Sequence, residues 1–155
     1  MNIETPLFGI LVCSRKFGPY QIPSWMQAQS LKTYCATRGM NFERHVVENR
    51  FPESNEFWWS FVNRPGILTG MVITSIWLLP SRAKDLEVAL KAVELSGRQI
   101  HFAIESLIFP GTASIDDILT LRMLCQTVLA AESEPDHRNV WNDWRSLHRL
   151  DNSKI

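Results

Sequence analysis

Residues 7–13 read Leu7-Phe8-Gly9-Ile10-Leu11-Val12-Cys13, an almost unbroken apolar run. A strand exposed on one face alternates apolar and polar residues, whereas a run like this one reads as a strand buried on both faces. Strands of that kind belong to parallel sheets covered by helices. The sequence that follows fits such a sheet. Gly18 and Pro19 punctuate a loop, Pro23 and Ser24 open a helix running to about Arg38, and Gly39 stops it. Ala28, Leu31 and Cys35 share one stripe of that helix.

Further along the chain the pattern repeats. Asn41 to Glu48 reads as a second strand, with paired valines at 46 and 47. A short helix is expected over Glu56–Asn63, a third strand over Ile67–Ile76, and a helix over Arg82–Ser96 with Leu86, Leu90 and Val93 inward and Gly97 as its stop. Gln99–Glu105 alternates as a fourth strand, with His101, Ala103 and Glu105 on one face. Ser114 and Asp117 form a capping box at the start of a helix reaching about Ala131. Alternating strands and helices predict an α/β fold: a three-layer, mostly parallel sheet with helices on both faces and right-handed crossovers. One domain is expected over 7–131. A polar linker and amphipathic segment over 132–155 carries Trp141, Trp144 and Leu147.

Composition narrows the function classes. The chain has 155 residues and 45% hydrophobic content, enough for a packed core. Sixteen basic and sixteen acidic residues give a formal net charge of +0. That balance argues against a bulk electrostatic grip on nucleic acid or acidic membranes. No basic leader precedes the apolar run and no stretch reaches membrane-spanning length, so a cytoplasmic protein is expected. Three widely spaced cysteines (13, 35 and 125) fit reduced thiols, and no Cys/His spacing resembles a metal site.

Ligands of open parallel sheets bind beyond the carboxyl ends of the strands. Four places follow from that rule. Ser14-Arg15-Lys16 ends the first strand, where two cations and free backbone N–H groups suit a phosphate or carboxylate; an ordinary solvated loop fits the same residues. Glu48 ends the second strand. Thr74 and Ser75 end the third, with hydroxyls able to orient a sugar or phosphate, and Arg82 follows at a helix start where a paired anion would offset the unfavourable dipole. Glu105 ends the fourth and suits a general acid or base, or a salt bridge to Arg15 or Arg82. On a continuous strand His101 would lie roughly 13 Å from Glu105, at about 3.3 Å per residue, too far to pair. His101 is therefore either a core histidine or a group that positions substrate. Trp58 and Trp59 are adjacent on a helix and cannot both face inward.

Gly9-Ile10, Cys13-Ser14-Arg15, Ile22-Pro23, Gln27, Tyr34-Cys35, Gly39, Ser75, Leu79-Pro80 and His101-Phe102-Ala103-Ile104-Glu105 together resemble the sporadic carbohydrate cluster protein family. The likeness extends over roughly residues 7 to 130. It implies a small bacterial protein encoded among sugar-biosynthesis genes. The layout is also similar to the catalytic domain of serine recombinases. Ser14 stands where that family keeps its nucleophile, Gln27, Leu31 and Gly39 fit its first helix, and Arg64-Pro65-Gly66 resembles its approach to the third strand. This second resemblance implies a resolvase-like fold. Its Asp-Arg-Leu-x-Arg motif is replaced here by Trp77-Leu78-Leu79-Pro80-Ser81, so recombinase activity and nucleic-acid binding are not expected.

These readings lead to an expectation of a small enzyme of unusual carbohydrate biosynthesis. Its substrate is a phosphorylated or nucleotide-activated sugar. Ser14, Glu105 and His101 supply the chemistry, with Arg15, Lys16, Glu48, Ser75 and Arg82 binding substrate. Isomerisation, epimerisation or elimination suits acid/base groups without a cofactor motif, so neither cofactor nor metal is expected. The alternative is a non-catalytic partner of another enzyme in the same pathway. A homodimer is expected, because Trp141, Trp144 and Leu147 would be costly to expose together.

Overall fold

The computed structural model describes residues 7–13, 21–48, 56–63, 66, 68–80 and 82–133. The elements in chain order are β1 (Leu7–Cys13), α1 (Ser24–Thr37), β2 (Asn41–Glu48), α2 (Glu56–Asn63), β3 (Gly70–Ile73), α3 (Ala83–Leu95), β4 (Gln99–Phe102), β5 (Leu107–Phe109) and α4 (Ile115–Ser133). A 3-10 turn over Ile76–Leu78 links β3 to α3. The strands form one sheet in the order β2-β1-β3-β4-β5. The first four run parallel and β5 pairs antiparallel to β4. This is the mostly parallel α/β sheet that the sequence predicts.

Two-residue periodicity divides the central strands between two layers of core. Phe8, Val12 and Val72 pack with Leu31, Tyr34 and Cys35 of α1 on one face. Leu11, Met71 and Ile73 pack on the other face with Trp58 and Phe61 of α2, Leu86, Leu90 and Val93 of α3, and Ile118 of α4. Trp58 is buried while Trp59 is only partly so, as two adjacent helical residues must be. Helices α1 and α3 stop where expected. Gly39 and Gly97 have φ of 62° and 68°, a left-handed conformation that glycine adopts without steric cost. The capping box also forms: Ser114 N donates to Asp117 Oδ2 at 2.9 Å, and Asp117 N donates to Ser114 Oγ at 3.2 Å.

The fourth strand departs from expectation. It ends at Phe102 instead of continuing to Glu105. Alternation persists in the sequence through Ile104, and the backbone still reaches back to Ile73 and Thr74 through the N–H groups of Ala103 and Ile104. Ile104 nevertheless stands 62% exposed, and Ser106, with φ of 55°, reverses the chain into β5. The apolar triplet Leu107-Ile108-Phe109 thus forms an edge strand that the strand-helix alternation does not foresee. The third strand is shorter than expected, and Ile67 lies outside the described residues.

Packing divides the chain into Met1–Arg122 and Met123–Ile155. In the second of these, α4 residues Met123, Leu124 and Val128 are exposed. The segment carrying Trp141, Trp144 and Leu147 lies outside the described residues. Among the described residues, no helix is long and apolar enough to cross a membrane.

Candidate functional site

Among the described residues, the carboxyl ends of β3 and β4 carry the polar side chains of interest. β3 ends at Ile73, and the next two residues, Thr74 and Ser75, are both buried. Ser75 caps the 3-10 turn, its Oγ accepting from Trp77 N at 3.3 Å. The turn after β4 brings Glu105 to the same place. Ser75 Oγ donates to Glu105 Oε1, which also accepts from Ile76 N at 3.3 Å. Glu105 is half-buried, and its second oxygen, Oε2, is buried with no partner among the described residues. A carboxylate with one oxygen anchored and the other unused is oriented while keeping an acceptor in reserve.

Several expected site residues can be placed against this pair. Ser14, Arg15 and Lys16 lie outside the described residues. Glu48 ends β2 in register with Cys13, so its backbone stands at the same edge of the sheet. Arg82 is exposed at the N-cap of α3 and makes no side-chain cap bond. The Arg82–Glu105 ion pair considered from sequence does not form among the described contacts; Ser75 and Ile76 hold the carboxylate instead.

His101 is also separate from the Ser75–Glu105 pair. It is 6% exposed, on the face of β4 that α1 covers. Its ring meets Phe8 edge-on, with centroids 5.1 Å apart, and its Nδ1 lies 3.3 Å from the Tyr34 hydroxyl. Burial, and secondarily the Arg38 charge, lowers its pKa from the ordinary histidine value. The Arg38 guanidinium itself stacks 3.9 Å above the Tyr34 ring. These are the contacts of a neutral core histidine. A positioning role through Tyr34 is compatible with them, but direct partnership with Glu105 is not among them.

A groove of about 510 Å3 opens on the α1 side of the same sheet edge. Ser30, Thr33 and Thr37, spaced along one stripe of α1, line it together with Met26, Thr74 and Ile104. Among the described residues, no charged side chain lines it. Sequence reasoning singles out Thr74 but not this hydroxyl row, because Ser and Thr on a helix ordinarily signal no more than a solvated face. Gln27 also escapes notice as a site residue. It is buried, and it bonds the ends of β1 and β3. No group of three or more His, Cys, Asp or Glu among the described residues could hold a metal ion.

No protein-family model matches the sequence, and no curated protein matches it. The fold does have solved counterparts. The N-terminal catalytic domain of TP901-1 integrase superposes with a TM-score of 0.55 at 12% identity, covering 83% of this chain and 99% of that one. A resolvase family site-specific recombinase from Streptococcus pneumoniae superposes with a TM-score of 0.56 at 10% identity, covering 92% of this chain and 95% of that one. The fold is thus resolvase-like.

Proposed function

We propose that this chain is a small enzyme acting by acid/base chemistry on a phosphorylated or nucleotide-activated sugar. The reading rests on the Ser75–Glu105 pair. It is an oriented, half-buried carboxylate, its Oε2 buried without a partner among the described residues, at the end of the sheet where α/β folds bind ligands. Glu105 takes a proton from a sugar carbon, the step that isomerisation, epimerisation and elimination share; the first two end with a proton returned to carbon, and elimination ends with departure of a leaving group from the neighbouring carbon. Ser75 orients the carboxylate. Ser14, Arg15 and Lys16 hold the anionic group, next to Cys13 at the end of β1. The groove lined by Thr74 and Ile104, which carries a row of hydroxyls and no charged side chain among the described residues, suits the neutral part of such a substrate. The resemblance to sugar-cluster proteins supports the same class.

The likeness to recombinase structures is one of fold. Trp77-Leu78-Leu79-Pro80-Ser81 stands where recombinases carry an arginine-bearing motif, so DNA strand transfer is not adopted. A second reading, a non-catalytic partner of another pathway enzyme, draws on the exposed Met123, Leu124 and Val128 of α4.

A thermal-shift panel of sugar phosphates, nucleotide sugars and free nucleotides tests the proposal, with Arg15→Ala as control. A ligand at about 100 times its dissociation constant adds roughly 2.7 kcal/mol. A shift from one class that is lost in Arg15→Ala supports the enzyme reading. No shift from any compound removes it in favour of the partner reading.

A further inference from the structure

We infer that Gln27 is a positioning residue for the candidate site, fixing the carboxyl ends of β1 and β3 against each other and against the start of α1. The inference rests on the functional reading above. Gln27 sits in the first turn of α1 and is 1% exposed. A buried amide must find partners for two N–H groups and for its oxygen. Here Nε2 donates to Cys13 O at 2.6 Å and to Ile22 O at 2.8 Å. Oε1 accepts from Cys13 N at 3.3 Å and from Thr74 Oγ1 at 3.3 Å. The amide is fully used, and its partners mark the ends of three elements: the last residue of β1, a residue just before α1, and the residue just after β3.

Those bonds fall where the sheet itself stops holding the two strands. The β1–β3 ladder runs from Phe8 and Gly70 to Leu11 and Ile73. Extending that register by two residues sets Cys13 level with Ser75. The Gln27 amide spans this stretch with side-chain bonds in place of ladder bonds. Its contact with Thr74 is one peptide away from Ser75, whose hydroxyl holds Glu105. Displacing Thr74 therefore displaces the anchor of the carboxylate. Packing alone does not require an amide here: Leu31, one turn further along the same buried stripe, fills its place with hydrocarbon.

The chain carries its own reporters. Cys13 and Cys35 are both buried, but only Cys13 is held by Gln27. The test labels the native protein with iodoacetamide and maps the modified peptides in wild type and in Gln27→Met, which is close in volume. Release of the strand ends raises the ratio of Cys13 to Cys35 labelling by about tenfold. An unchanged ratio, whether both rates rise together or neither moves, overturns the inference, because general loosening exposes both thiols. If Gln27→Met does not fold, Gln27→Asn keeps a neutral amide that is one methylene too short to reach all its partners, and is judged by the same ratio. Labelling needs no ligand. Wild-type protein that shows no thermal shift with UDP-glucose or inorganic phosphate therefore counts against the functional reading, and a raised ratio then upholds only the fixing of the strand ends by Gln27.

Discussion

The Ser75 hydroxyl donates to the Glu105 carboxylate, joining the chain just beyond β3 to the turn just beyond β4. The two residues are 30 positions apart in sequence and come from neighbouring parallel strands. Ser75→Ala leaves Oε1 only the Ile76 N–H and leaves a half-buried carboxylate short of a donor. The expected loss is about 1–2 kcal/mol, or roughly 2–8 °C in Tm. Glu105→Gln keeps the shape and an acceptor oxygen. It is expected to lose turnover on whichever sugar the ligand panel identifies, with Tm changed far less than in Ser75→Ala. Thermal melts and activity assays on the two variants check both statements, and turnover that persisted in Glu105→Gln would remove its acid/base role.

Arg98 ties α2 to the loop before β4. Its guanidinium donates to Phe61 O and to Val62 O, the latter at 2.9 Å, while Nε donates to Ser96 Oγ at 2.8 Å. The group also stacks 4.6 Å from the Phe61 ring centre. Helix α2 is short and ends with carbonyls that its own backbone does not satisfy, so the arginine serves as its C-terminal cap. Arg98→Met is expected to cost about 2 kcal/mol in urea or thermal unfolding. Arg98→Lys is expected to recover less than half of that loss, because an ammonium lacks the planar fork that reaches two carbonyls and a hydroxyl together.

Local pattern made the elements legible where one buried face dominated. The bounds read for β2 and α2 match the structure, and the inward residues of α3 are those its helical stripe names. The β4–β5 reversal was hidden because Ile104 continues the alternation and because Ser106 adopts a positive φ that no glycine announces. That error carried Glu105 onto a strand and concealed its meeting with Ser75. The roles of Gln27, which both resemblances name, and of Arg98 were illegible for another reason. Both side chains bond chiefly to backbone groups, and in the case of Arg98 these lie 36 and 37 residues away, so no side-chain pattern can betray them.

The capping box at α4 gives a prediction at acid pH. Hydrogen bonds from the Ser114 hydroxyl and backbone N–H lower the Asp117 pKa from its ordinary value. A carboxylate whose folded pKa is depressed contributes stability above its unfolded pKa and loses it as pH falls through the folded one. Ser114→Ala is expected to lower Tm at neutral pH, and its difference from wild type to shrink as pH falls from about 4 through the lowered folded pKa of Asp117. Melts of the two proteins over pH 3–7 check it, and a difference that stayed constant down to pH 3 would contradict the assignment.

His101 governs the next window upward. Burial foremost, then the Arg38 charge, pushes its pKa below the ordinary histidine value, so the folded protein resists protonating it. The unfolded chain takes up that proton near pH 6.5. Between the lowered folded pKa and about 6.5 the unfolded state therefore binds more protons, and stability rises with pH across that interval. Above it the histidine is neutral in both states and contributes no slope. The neutral ring pairs with Tyr34 through Nδ1, while Nε2 is buried with no partner among the described residues, so a cation there would bring a charged N–H into a site that offers it no acceptor. His101→Gln removes the titration and keeps a polar group near the Tyr34 hydroxyl. The expected result is a wild-type Tm that falls as pH drops below about 6.5, and a variant whose Tm falls less over the same range. The difference curve isolates His101 from the other three histidines, which both proteins share. Parallel curves would mean that the His101 ring gains its proton in the folded protein as readily as in the unfolded chain, against what its burial between Phe8 and Tyr34 requires.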